Sequence, residues 1–308
     1  MSSSSSPAKK KRRGPRPPPP EVSPFRADVL AGRVALITGG GSGIGFTIAQ
    51  QLLAHGASGV VIMGRRAHVL ADACKRLDPS GAGRAAYAAG DVRNAEDTAR
   101  AVKVAVDTYG RLDTLVNSAA GNFLAAAEHI KPKGFRTVLE IDAIGTFNTC
   151  SAAFAALKAS GRGSVLNISA TLHYAAAWYQ AHAAAAKAAI DSTTRSLALE
   201  WGKYNIRVNG IAPGPIADTA GLTKLSAGVD QAVLERQMAR AVPLGRMGTR
   251  FEIAMAAVWL CTDSGAGYAT GTTVVVDGGA WLWSPPPIPR HAVAAMARAV
   301  EAKSRAKL

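Results

Sequence analysis

From Arg33 onward, short runs of β-branched and other apolar residues alternate with longer alanine-rich stretches. VALI at 34–37, GVVIM at 59–63, LDTLVN at 112–117, SVLNIS at 164–169, IRVNGIA at 206–212 and TTVVVD at 272–277 predict strands, and a weaker one lies near 85–89. The intervals hold helical patterns over 43–55, 67–77, 95–109, 134–158, 178–201 and 251–262. Strands that are apolar on both faces and separated by helices imply a parallel sheet covered on both sides. The expected fold is therefore α/β: one Rossmann-type, doubly wound parallel sheet with helices on both faces, and no internal repeat.

The pattern fails at both ends. MSSSSSPAKKKRRGPRPPPP joins serine, a basic cluster and a proline run, a composition that cannot pack a core, so residues 1–27 are expected to be a disordered or polyproline-like extension. The folded body is expected over 28–283, followed by an appendage at 284–308 in which a proline break precedes a short amphipathic helix and a basic end. A chain of 308 residues that is 48% hydrophobic is long enough to bury a large core in one domain.

The net charge of +15 resembles a nucleic-acid signal until it is located. Residues 1–27 carry seven Lys/Arg against one acid and residues 290–308 five against one, which leaves the body a mild excess suited to anionic small molecules as much as to nucleic acid. The basic run reads either as a solvated tail or as a nuclear address or nucleic-acid arm; no nucleic-acid partner is expected. Cys74, Cys150 and Cys261 are odd in number and widely spaced, which supports neither a disulfide framework nor a zinc site. No metal is expected. No apolar run reaches the roughly 18 residues of a membrane span, and no secretory leader is evident.

The first predicted strand runs directly into TGGGSGIG, Thr38 to Gly45, and then into a helix. Gly39, Gly41, Ser42, Gly43, Ile44 and Gly45 are thereby candidates to cradle a pyrophosphate, since glycines permit the tight turn and the helix N-terminus adds its dipole. The second strand ends in MGRRAH, where an acid would bind the ribose 2′-hydroxyl of NAD. Arg65 and Arg66 stand there instead and suit a 2′-phosphate, so NADP(H) is the expected cofactor.

TGGGSGIG, GDV at 90–92, NSAAG at 117–121, Lys187 and PGP at 213–215, in this order and spacing, resemble the short-chain dehydrogenase/reductase superfamily from about Gly32 to Leu282. The resemblance implies that Asp91 and Val92 hold the adenine, that Asn117 lies by the cofactor, and that Pro213, Gly214 and Ile216 border the nicotinamide. The superfamily's usual Asn, Ser, Tyr and Lys set is broken three times here, at Asp142, Ala170 and Ala183, and only Lys187 stands. Tyr174 and Tyr179 are out of register to replace the tyrosine and read as packing residues.

NSAAGNFLAAAE, EIDAIGTFN (140–148), NISATLHY (167–174) and APGPIADTAGL (212–222) are similar to one branch of that superfamily, the peroxisomal 2,4-dienoyl-CoA reductases, their plant form especially. That resemblance implies NADPH-dependent reduction of 2,4-dienoyl-CoA to 3-enoyl-CoA in the β-oxidation of unsaturated fatty acids, with Asp142 and Lys187 catalytic and Lys187 also at the nicotinamide ribose. It further implies an acyl-CoA thioester substrate whose coenzyme A meets Arg65, Arg93 and Lys224 and whose acyl group meets Phe123 and Leu124. Arg65 then serves the 2′-phosphate, coenzyme A or both. Ala306, Lys307 and Leu308 resemble a C-terminal peroxisomal address, which implies an import receptor as partner and the peroxisome as location. A homo-oligomer is the family expectation. Two alternatives stay open: another carbonyl or enoyl reductase of the superfamily, and a catalytically silent NADP-binding protein.

Overall fold

Seven strands form one parallel sheet: β1 (Val34–Thr38), β2 (Gly59–Gly64), β3 (Ala85–Ala89), β4 (Thr114–Asn117), β5 (Gly163–Ile168), β6 (Ile206–Pro213) and β7 (Thr273–Val276), in the order β3-β2-β1-β4-β5-β6-β7. The computed structural model describes residues 17–219 and 230–284, with positions 293 and 298 besides. The basic run at 9–13, Lys224 and the tripeptide at 306–308 lie outside the described residues.

Alternation along each strand sends neighbouring side chains to opposite faces, and two cores result. Ala35 and Ile37 of β1 join one with α1 (Gly43–Ala54), α2 (Ala67–Leu77) and the helix Arg250–Cys261. Val34 and Leu36 join the other with α3 (Ala95–Tyr109) and the helix Gly145–Ser160. The chain winds outward from β1 to β3, then crosses back to place β4 on the other side of β1. That reversal opens a crevice at the carboxyl ends of the strands, where such sheets bind ligands.

The helix expected over 134–158 is three pieces: α4 (Pro132–Leu139), a π-helical turn at Glu140–Ile144, and α5 (Gly145–Ser160). A Cβ on Gly145 would stand 2.5 Å from Val92 Cγ2, so glycine lets the start of α5 close onto the loop after β3. The helix expected from 178 begins three residues later, as α6 (Ala181–Trp201). An unexpected helix, α7 (Gln231–Ala241), precedes α8 (Arg250–Cys261), which opens on a Thr249–Glu252 capping box. Among the described residues no helix is long and apolar enough to cross a membrane. All three cysteines are free, with burial pushing Cys150 up to about 12 and Cys74 and Cys261 up to about 11.

Candidate active site

A cleft of about 860 Å³ runs along the carboxyl ends of the strands. At its glycine end, Thr38 Oγ1 accepts from Ser118 N and Ala119 N at 3.1 Å each, tying the ends of β1 and β4 together. Gly43 opens α1 at φ +58°, and a Cβ there would meet no protein atom within 4 Å. The open space it borders is the cleft, which Gly39, Gly41, Ser42, Ile44 and Gly45 also line. No acid stands in the first turn of α1, so its N-terminal partial charge is free for an anion. These residues fit a dinucleotide's pyrophosphate on geometry alone.

Beside the loop, Arg65 and Arg66 line the cleft where β2 ends, with Asp91 and Val92 next to them. Arg93 does not line it: its guanidinium pairs with Asp91 at 2.6 Å and holds that carboxyl below the usual carboxylate range. Arg93 is thus the partner of Asp91 in this structure rather than a free cation facing the cleft. Pro213, Gly214 and Ile216 line the cleft from the end of β6.

Deep in the cleft lies an ion pair. Lys187 Nζ, on α6, is 3.0 Å from Asp142 Oδ2, on the π-helical turn, and the two residues are 7% and 1% exposed. Lys187 also donates to the Ile168 carbonyl at 3.1 Å, and Asp142 Oδ1 accepts from Gly121 N at 2.6 Å. An ammonium has three donors, so one N–H remains for the cleft. Such π turns recur at functional sites, and this one carries the acid to the lysine. Ala183 and Ala170 line the same space with no hydroxyl.

Neither tyrosine supplies the missing phenol. Tyr174 donates its hydroxyl to Asp191 at 3.2 Å, and burial with that carboxylate beside it pushes the phenol up to about 12. Tyr179 is 55% exposed at φ +63°, a surface position and not the packing role expected of it.

Two further sets of expected site residues stand outside the cleft lining. Asn117 does not line the cleft, because β4 and β5 pair it in register with Asn167, to which its amide donates at 2.9 Å; a second contact goes to Cys150 Sγ. Phe123 and Leu124 are half-exposed and likewise absent from the cleft lining; the Phe123 ring stacks on His182 with centroids 4.1 Å apart. Lys224 cannot be placed among the described residues. In the other direction, the sequence reading missed Asn122 and Ser169, which line the cleft and bury Asn122 Oδ1 and Ser169 Oγ without a hydrogen-bond partner. It also missed His182, fully buried one residue before Ala183, whose burial lowers its pKa. Nothing in a single sequence marks such atoms, since their isolation depends on neighbours far along the chain.

The fold, glycine loop and cleft define a nicotinamide-dependent oxidoreductase. A family model described as enoyl-(acyl carrier protein) reductase matches residues 39–280. A short chain dehydrogenase from Bacillus anthracis superimposes with a TM-score of 0.75 at 38% identity, covering 85% of this chain and 100% of that one. The chain belongs to the short-chain dehydrogenase/reductase family. It is 56% identical over 294 residues, 92% of this chain and 96% of the other, to the peroxisomal 2,4-dienoyl-CoA reductase [(3E)-enoyl-CoA-producing] of Arabidopsis thaliana. The protein of the same name from Danio rerio is 43% identical across 84% of this chain and 85% of its own.

Proposed function

We propose that this chain reduces 2,4-dienoyl-CoA thioesters with NADPH to 3-enoyl-CoA, a step in the β-oxidation of unsaturated fatty acids, in the peroxisome. The observation that carries the reading is the buried Lys187–Asp142 pair at 3.0 Å, standing in a cleft whose tyrosine and serine positions hold only Ala183 and Ala170. The names of its relatives in Arabidopsis thaliana and Danio rerio support the substrate class and the compartment.

When bound, the reduced nicotinamide supplies hydride to the far carbon of the diene. Lys187 then offers its remaining N–H to the negative charge that gathers on the thioester oxygen, the place where a fixed donor is worth most. With no phenol at 183, Asp142 and Lys187 hold and polarise a water that protonates the carbon next to the carbonyl, leaving the double bond between the third and fourth carbons. Glycine loop and α1 hold the pyrophosphate, and Arg65 with Arg66 hold the 2′-phosphate through charge-assisted hydrogen bonds. Arg65 also reaches coenzyme A if the two ligands lie close enough to share it. The C-terminal Ala306–Lys307–Leu308 engages an import receptor.

The test is an absorbance assay of purified protein with NADPH, comparing 2,4-hexadienoyl-CoA with a monoenoyl-CoA. Consumption of NADPH with the dienoyl thioester alone is the expected result. Equal turnover of the monoenoyl thioester, or none of either, would overturn the reading.

A further inference from the structure

Of the residues lining the cleft, Arg65, Arg66, Asp91, Asp142 and Lys187 come from elements at or before α6, whereas the residues after α6 supply Pro213 to Ile216, Thr219, Met238, Ala280, Trp281 and Trp283, none of them charged. In the sheet β2 and β7 stand five strand spacings apart, about 24 Å. Arg65 and Arg66 follow β2, and the two tryptophans follow β7, with the Lys187–Asp142 pair on elements between.

The tryptophan end is built, not incidental. Asp277, itself buried, accepts from Gly279 N at 2.7 Å and from Trp281 N at 2.8 Å, which fixes the turn after β7. The Trp281 ring meets the Tyr174 ring edge-on with centroids 5.6 Å apart. Tyr174 is in turn anchored to Asp191, which is 3% exposed and sits one turn beyond Lys187 on α6. His173 Nε2 lies 2.9 Å from the same carboxylate and Thr273 Oγ1 donates to it at 3.3 Å. The helix that carries the catalytic lysine therefore also steadies this wall. Trp281 and Trp283 nevertheless remain 39% and 45% exposed, facing the cleft. Large aromatic surface held rigid and left open to a cleft is the usual form of a ligand-binding wall.

We propose that Trp281 and Trp283, with Leu172 and Met238, form the wall for the acyl chain beyond the diene, and that this wall makes the enzyme prefer acyl chains longer than hexadienoyl. The occupant is the acyl chain and not coenzyme A, because the phosphates of coenzyme A require cations and this end of the cleft offers none among the described residues. The inference rests on the thioester reading of the site, and it replaces Phe123 and Leu124 as the acyl contacts.

The experiment compares 2,4-hexadienoyl-CoA with 2,4-decadienoyl-CoA in the full chain and in Trp281→Ala/Trp283→Ala, with Trp281→Phe/Trp283→Phe as the conservative pair. In the parent, KM is lower for the decadienoyl thioester. The alanine pair reduces that preference about tenfold, the effect of roughly two methylenes losing their apolar contact, and the phenylalanine pair restores most of it. A second readout needs no turnover: decanoyl-CoA changes the tryptophan emission of the parent, free coenzyme A does so far less, and the change is largely lost in the phenylalanine pair. If the protein fails to reduce any dienoyl thioester, the proposed function falls while the emission arm still decides the wall. The wall is overturned if the chain-length preference is the same in both tryptophan pairs as in the parent, or if it collapses instead in Phe123→Ala/Leu124→Ala.

Discussion

Lys187 reaches the cleft with its ammonium already shared between Asp142 and the Ile168 carbonyl, so its remaining donor is fixed in direction before any ligand arrives. Lys187→Ala is expected to lower dienoyl-CoA turnover by about 10²-fold, the loss typical of one oxyanion donor, and to weaken nicotinamide cofactor binding. Because it strands Asp142 as a buried unpaired carboxylate, it should also cost about 3–5 kcal/mol of stability, read from urea unfolding. His182 gives a second test. Its pKa is lowered in the fold by burial, so its stabilising contribution is complete above the ordinary imidazole value of about 6.5 and fades as pH falls below it. Unfolding midpoints should drop between pH 7 and pH 5.5, and His182→Phe should reduce that drop; an equal drop in both proteins would show that other groups dominate. That Lys187 and Asp142 belong together was legible in the sequence, because an isolated cation in an alanine-rich helix and an acid where the resembling family carries an amide are both visible as residue types. The placing of Asn117, Phe123 and Arg93 was not, because cross-strand register, ring stacking and an Asp91 partner decide where those side chains go.

Among the elements, the six strong strand patterns and their helices were readable because strands buried on both faces carry near-continuous apolar runs. The break at Glu140–Ile144 was not, since a π turn inserts one residue into a helix without altering its composition. Asp142 sits on that turn, so the part of the site hardest to read was an irregularity of backbone and not a residue type. The end of β2 was easier, since the absence of an acid from MGRRAH shows directly. If Arg65 and Arg66 clasp a 2′-phosphate, NADPH binds more tightly than NADH, and Arg65→Ala together with Arg66→Ala weakens NADPH by about 1.5–3 kcal/mol, the scale of a charged hydrogen bond. Isothermal titration with both cofactors measures this; equal affinities in the parent would contradict it.

For the whole molecule, the order β3-β2-β1-β4-β5-β6-β7 places the glycine loop, the ion pair and the tryptophans around one cleft at the carboxyl ends of the strands. Parallel α/β alternation announced the class, but which strands neighbour which follows from the crossover after β3, a long-range pairing that no local pattern encodes. The termini add a separate question of location. A fluorescent fusion at the N-terminus is expected to collect in peroxisomes and to become cytosolic when residues are added after Leu308; nuclear accumulation would favour the Lys9–Arg13 cluster instead. The account as a whole stands on an acid and a lysine replacing a tyrosine. Its most direct test is the turnover of 2,4-hexadienoyl-CoA by Asp142→Ala beside the parent protein, with NADPH binding measured on both as the check of folding. The account predicts a fall of about 10²-fold or more with NADPH binding largely intact. Near-parental turnover by correctly folded Asp142→Ala would contradict it.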